Sequence, residues 1–91
     1  MESLGAILKE AREKTKISID RIADETRISK KYLEALENEE FSSFPGEAYL
    51  KGFLRTYCNY LHLNPDELVA IYERINSVTE KLLKAGLIKN K

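Results

Sequence analysis

Apolar residues recur at helical spacing along this chain, and no segment alternates apolar and polar residues as a half-exposed strand would. Near the start, Leu4, Ile7, Leu8 and Ala11 follow the i, i+3, i+4, i+7 order of one helix face. This pattern predicts a first helix from Leu4 to Lys14.

Two short helices are predicted next, each preceded by a serine. Serine is a preferred N-cap residue, so Ser18 predicts a helix from Ile19 to Thr26, and Ser29 predicts another from Lys30 to Asn38. Only two or three residues separate these helices, which indicates a helix-turn-helix arrangement. Their inward-facing residues are Ile19, Ile22, Ala23, Leu33 and Leu36.

A fourth predicted helix, Glu47 to His62, has more apolar surface than one core needs. At 100° per residue its apolar arc is about 180° wide, whereas a surface helix ordinarily buries about 100°. The residues of the normal core stripe are Leu50, Leu54, Tyr57, Cys58 and Leu61. Three further aromatic residues, Tyr49, Phe53 and Tyr60, lie on a second arc beside it. Either another part of the chain or another protein covers that arc.

Asn64, Pro65 and Glu67 predict the start of a fifth helix with a cap, a proline in the first turn and a glutamate three residues after the cap. Beyond Asn76 two interpretations are open: a short extra helix ending at Gly86, or a linker. We expect Leu68, Ile71, Tyr72 and Ile75 to form the inner face of the fifth helix. We expect Phe41 and Phe44 to pin the loop before the fourth helix, Glu39 to Gly46, to the core. We therefore expect an all-α bundle of about five helices, with a helix-turn-helix domain over 1–76 and a basic tail or linker over 77–91.

Composition and charge narrow the class of protein. The 91 residues are enough for one small domain, and a single cysteine indicates a reducing compartment. No apolar run reaches the length of a membrane span, and no signal-peptide pattern opens the chain. Residues 18–40 contain four cations and seven carboxylates, which gives a net charge of −3. Residues 77–91 contain four lysines and one glutamate, which gives a net charge of +3.

The segment ADETRISKKYLEALE, residues 23–37, resembles the helix-turn-helix of the lambda-repressor and Xre superfamily. Its continuation, YLEALENEEFSSFPGEAYLKGFLRTYCNYLHLNPDELV, resembles the cytoplasmic domain of the RodZ family of bacterial cell-shape proteins. The resemblance covers about Leu4 to Ile75. The residues that match the family's aromatic, glycine and arginine positions are Tyr49, Gly52, Phe53, Arg55 and Tyr57.

The resemblance implies an adaptor that binds the bacterial actin homologue MreB and tethers its filaments to the inner membrane. In RodZ-like proteins this domain is cytoplasmic and is followed by a basic juxtamembrane segment and one membrane span, which this chain lacks. The charge of the 77–91 tail suits such a segment. We expect the isolated domain to be monomeric. The expected partner-binding residues are Tyr49, Phe53, Tyr60, Lys51 and Arg55.

The alternative function is that of a sequence-specific DNA-binding regulator of the Xre type. Its contacts would come from the start of the third helix, at Ser29, Lys30, Lys31 and Glu34. The acidic charge of the surrounding segment opposes phosphate binding. No Asn or Gln opens that helix and no Arg lies within it, so side chains for bidentate base contacts are absent. Nucleic acid is therefore not expected to be the main partner.

An enzyme is the third alternative. Cys58 and His62 are the only cysteine and histidine, and no third ligand or catalytic partner is suggested for them. No glycine-rich phosphate loop is present either. We expect no enzyme activity, no metal and no cofactor.

Overall fold

The computed structural model describes residues 3–88, and these form five α-helices and one short 3₁₀ turn without a strand. This is the all-α architecture that the apolar spacing predicted. The helices are α1 (Leu4–Thr15), α2 (Ile19–Thr26), α3 (Lys30–Glu37), α4 (Glu47–Tyr60) and α5 (Pro65–Lys84), with the 3₁₀ turn at Phe41–Ser43.

Local side-chain chemistry explains where most of the helices begin. The hydroxyl of Ser18 accepts a hydrogen bond from the backbone N–H of Arg21, and the Asn64 side chain accepts from the first turn of α5, so both predicted caps are confirmed. Ser29 precedes α3 as expected, but its side chain makes no capping hydrogen bond. Ser3, which the sequence pattern did not single out, caps α1.

Several helices end at a residue with left-handed backbone geometry. Lys16 and Arg27 have φ angles of 60° and 64° after α1 and α2, and this geometry turns the chain sharply. Helix α4 ends at Tyr60, two residues earlier than predicted, because His62 adopts a φ of 61°. Non-glycine residues at such positions carry a steric cost that tertiary packing must offset.

Helix α5 continues without interruption to Lys84, so the described residues contain no separate sixth helix. Residues 77–84, for which an extra helix or a linker was open, form the last two turns of α5. Gly86, at φ 74°, then ends the helix, and the N–H of Leu87 bonds back to the carbonyl of Leu82. None of the described helices combines the length and apolar character that a membrane span requires.

The core lies between α4 and the other four helices. The whole predicted stripe of α4 is buried, and Tyr57 is the largest side chain that is fully enclosed. The loop before α4 is pinned as expected, because Phe44 is buried and Phe41 packs edge-on against Tyr72 at 5.1 Å between ring centroids. The fully buried residues around this stripe include Leu4, Leu8, Ile22, Leu33 and Leu36.

A buried polar contact joins three helices. The Glu37 carboxylate of α3 accepts two hydrogen bonds from the Arg12 guanidinium of α1, at 2.7 and 3.0 Å, and one from the Tyr57 hydroxyl of α4. The Glu37 side chain is only 6% exposed. Burial and the neighbouring Glu37 carboxylate raise the pKa of Tyr57, so its hydroxyl remains a hydrogen-bond donor.

Helices α1 and α3 approach each other unusually closely at Gly5. A Cβ at this position would lie 2.0 Å from the backbone carbonyl oxygen of Glu37, so the contact requires glycine. The N–H of Gly5 donates a hydrogen bond of 3.0 Å to the Glu39 carboxylate, which thereby supplements the Ser3 cap of α1. This contact fixes where α3 lies relative to the rest of the bundle.

Candidate partner-binding site

The surplus aromatic residues of α4 are partly covered from within the chain, by α3 as well as by the loop. Phe53 stacks on Tyr32 of α3, with ring centroids 5.3 Å apart, and lies 6.2 Å from Phe44. Tyr32 and Phe44 stack on each other at 5.1 Å. Phe53 is therefore half-buried, and one of its sides is supported by a rigid aromatic layer.

This packing leaves the Tyr49 side chain exposed. Its ring lies 6.3 Å from that of Phe53, and 59% of the residue is exposed. Gly52, three residues further along the same helix, has no heavy atom within 4 Å of the position that a Cβ would occupy. A glycine inside a helix costs about 1 kcal/mol relative to alanine, and nothing inside this domain uses the space it leaves.

We define the docking face as Tyr32, Tyr49, Gly52 and Phe53. The Lys31 ammonium lies 4.9 Å from the centroid of the Tyr32 ring, which places one cation at its edge. The face therefore combines aromatic surface, a gap beside a helix backbone and a positive charge. Tyr32 was missed at the sequence level, although it is an aromatic residue outside the buried stripe of its helix, the same signal that singled out Tyr49.

Lys51 and Arg55 lie on the other side of α4. Each is about 160° from Phe53 around the helix axis. The Lys51 ammonium contacts Glu73 and Glu47 at 2.8 and 3.1 Å, and these carboxylates raise its pKa. Arg55 contacts Asp66 at 2.8 Å. Both cations therefore form ion pairs with residues of α5. A partner that contacts Lys51 and Arg55, as predicted, would bind a surface separate from that of Tyr49 and Phe53.

Tyr60 is on the same side of α4 as Phe53 but about 16 Å from Tyr49 along the helix. It is half-buried, and its hydroxyl donates a 3.0 Å hydrogen bond to Glu25 of α2. Tyr60 thus serves the contact between α2 and α4 and lies outside the docking face. Of the five residues that the sequence predicted to bind a partner, the structure brings Tyr49 and Phe53 together.

The four residues predicted for DNA contact lie at the exposed start of α3. Lys30 contacts Asp20 at 3.2 Å, and Lys31 lies over Tyr32, so both cations already have local partners. Ser29 and Glu34 are exposed, and a carboxylate at Glu34 would face the phosphates of a bound duplex.

Part of the acidic charge of residues 18–40 is engaged within the domain. Glu37 is buried against Arg12, and Glu39 bonds to the start of α1. Of the four glutamates within 34–40, only Glu34 and Glu40 are exposed. The case against DNA binding therefore depends on the absence of base-reading side chains and on the Lys30–Asp20 ion pair.

Cys58 and His62 do not form a site. Cys58 is completely buried, and burial raises the pKa of its thiol to about 11, whereas His62 is exposed. Within residues 3–88, no three side chains of the metal-binding types come together.

Comparison with known proteins identifies the class. The family model of a helix-turn-helix domain matches residues 7–68, and the chain belongs to this family. The domain is of the type found in RodZ, as two similarities described next show: one to a RodZ protein sequence and one to a solved structure that contains RodZ.

The cytoskeleton protein RodZ of Streptococcus pneumoniae is 27% identical over 78 residues, which are 86% of this chain and 28% of that protein. The uncharacterized membrane protein YmfM of Bacillus subtilis is 35% identical over 52 residues, 57% of this chain and 18% of that protein. The chain thus spans less than a third of these relatives. In a solved structure of bacterial actin MreB assembled with the cell shape protein RodZ, one chain is similar with a TM-score of 0.78 and 26% identity, covering 84% of this chain and 93% of that chain.

Proposed function

We propose that this domain is a protein-binding adaptor, not an enzyme, and that it binds filaments of the bacterial actin MreB through its docking face. The similarity to RodZ in sequence and in structure supports the choice of partner. One relative is a membrane protein and another is a cytoskeleton protein, which supports a domain that belongs to a membrane protein. As the family resemblance implies, the domain would lie on the cytoplasmic side of a single-pass inner-membrane protein and tether filaments to the membrane.

The observation that carries the proposal is the pairing of Tyr49 with Gly52. The open glycine lowers the stability of the isolated helix, and the exposed tyrosine on the same helix face adds little to the stability of the domain. A partner that covers the tyrosine and approaches the backbone at the glycine would use both. Tyrosine and phenylalanine also supply large apolar area with few rotatable bonds, as is typical of interface hot spots.

The packing beneath the face suits binding without rearrangement. Phe53 is held by Tyr32 and Phe44, so little side-chain freedom remains to be lost on docking. The face is small, and we expect modest affinity for a single domain. Many domains held at one membrane beside one filament would gain avidity from their high local concentration.

Replacing Tyr49 with alanine tests this proposal. The side chain is mostly exposed, so we expect unchanged helical content and a change in unfolding free energy below about 0.5 kcal/mol. Affinity for polymerised MreB in co-sedimentation without lipid should fall about tenfold or more, as for a hot-spot tyrosine. The matched control is Val78→Ala, which removes an apolar side chain of nearly equal exposure, 56% against 59%, from another helix.

Equal filament affinity of the wild type and Tyr49→Ala would contradict the docking face, while filament binding as such could persist through another surface. An equal loss in Tyr49→Ala and Val78→Ala would show that binding does not distinguish the two surfaces.

A further inference from the structure

A second apolar surface lies at the end of α5. Among the described residues, four large hydrophobic side chains are exposed, and three of them, Val78, Leu87 and Ile88, lie within the last eleven of these residues. The fourth is Tyr49 of the docking face. Leu87 alone is 72% exposed. The filament-binding proposal leaves this second surface unexplained.

Val78 belongs to a regular apolar stripe of α5, and Leu87 and Ile88 follow the end of the helix. Ile75, Val78 and Leu82 fall within an arc of about 60° on the helix. The first part of this stripe borders an open groove whose opposite wall is the start of α1, at Ser3 and Leu4. Helix α5 lines this groove as far as Val78 and Thr79, and the stripe continues beyond it at Leu82. Helix α5 is therefore amphipathic, with an apolar face that is longer than the groove.

Cations follow one side of the stripe. Arg74, Lys81 and Lys84 lie within about 120° of Val78 on the same flank of the helix. None of the three forms an ion pair with another described residue, in contrast to Lys51 and Arg55 of α4. The charge of the 77–91 segment is +3. The surface therefore suits an occupant that is apolar and negatively charged.

Charge decides between the candidate occupants. A second copy of the chain would supply apolar contacts, but packing two α5 stripes together would also bring two rows of uncompensated cations towards each other. An anionic bilayer supplies acyl chains and headgroup phosphates at once. A helix with an apolar stripe and flanking lysines is typical of segments that lie in the bilayer interface.

We propose that the second half of α5, from Arg74, and the residues up to Ile88 lie on the surface of an anionic phospholipid bilayer. This contact deepens the proposed membrane tethering, on which it rests, because it would orient the domain at the membrane in addition to any anchor. It uses none of the docking-face residues, so filament binding and lipid binding can fail independently.

The test is co-sedimentation of the purified chain with vesicles of mixed phosphatidylcholine and phosphatidylglycerol, compared with phosphatidylcholine alone. We expect binding only to the anionic vesicles, and weaker binding as salt rises. Each cation near an anionic surface strengthens binding about fivefold, so Lys81→Glu/Lys84→Glu should weaken it at least about tenfold. The charge-matched control, Lys9→Glu/Lys16→Glu on α1, should bind nearly as the wild type does. Val78→Ser/Leu87→Ser should also weaken vesicle binding, because it removes apolar area without changing charge.

Three results would overturn the proposal: equal binding to neutral vesicles, equal weakening in the Lys9/Lys16 control, or no vesicle binding at all. Analytical ultracentrifugation that showed a dimer lost in Val78→Ser/Leu87→Ser, without vesicle binding, would assign the surface to a second copy instead. Tyr49→Ala should leave vesicle binding unchanged, and this separates failure of the lipid contact from failure of the filament contact.

Discussion

Replacing Glu37 with alanine is expected to lower the unfolding free energy by about 3–5 kcal/mol. The carboxylate is the shared acceptor for Arg12 and Tyr57, so its loss leaves a largely buried guanidinium and a buried hydroxyl without their partner. The cost of such unpaired groups exceeds the net stabilisation by the original ion pair. Since small domains are stable by about 5–15 kcal/mol, much of the margin would disappear.

Urea denaturation followed by circular dichroism measures this effect. Glu34→Ala is the matched control, because Glu34 is exposed on the same helix, and its replacement should change stability by less than about 0.5 kcal/mol. Tyr57→Phe should cost less than Glu37→Ala, since it removes one hydrogen bond and keeps the ion pair. Similar stabilities of Glu37→Ala and Glu34→Ala would show that the contact between α1, α3 and α4 is dispensable.

Gly5→Ala is expected to destabilise the domain by about 3 kcal/mol, at the upper end of the range for overpacking. The new Cβ would overlap a backbone carbonyl oxygen, which cannot move aside as a flexible side chain can. Helices α1 and α3 would have to separate, and that shift would disturb the Glu37 and Glu39 contacts as well.

The same substitution at Gly52 provides the control. That position is exposed within α4 and has nothing within 4 Å, so Gly52→Ala should stabilise the domain by about 1 kcal/mol. Thermal unfolding of the two variants should therefore shift in opposite directions. A shift in the same direction for both would contradict the close approach of α1 and α3 at Gly5.

Features encoded by near neighbours could be predicted from the sequence. The caps at Ser18 and Asn64 and the buried stripe of α4 depend on residues a few positions apart, and the structure confirms them. The predicted end of α4 is wrong by two residues, because the left-handed geometry of His62 is not implied by its residue type.

Contacts between distant residues could not be predicted in the same way. The partners of Glu37 lie 25 and 20 residues away along the chain, and Gly5 contacts a carbonyl in another helix. The partial burial of Phe53 likewise depends on where α3 places Tyr32. Such pairings follow from how the helices pack, which periodicity within each helix does not specify.

The two exposed surfaces divide the proposed adaptor into two contacts. The docking face consists of residues of α3 and α4, and the loop between these helices supports it through Phe44. The Glu37 contact holds α3 and α4 to α1. The end of α5 extends from the same bundle, so a rigid domain would connect a filament on one surface to a bilayer on the other.

The most direct test of the adaptor function compares binding of the purified domain to polymerised MreB and to random duplex DNA, side by side at near-physiological salt. We predict saturable co-sedimentation with the filaments that Tyr49→Ala weakens and that Lys30→Glu weakens little, because Lys30 pairs with Asp20 outside the docking face. We predict no comparable binding to the duplex. Tight duplex binding that is lost in Lys30→Glu/Lys31→Glu, together with no binding to filaments, would contradict the account and favour a DNA-binding regulator.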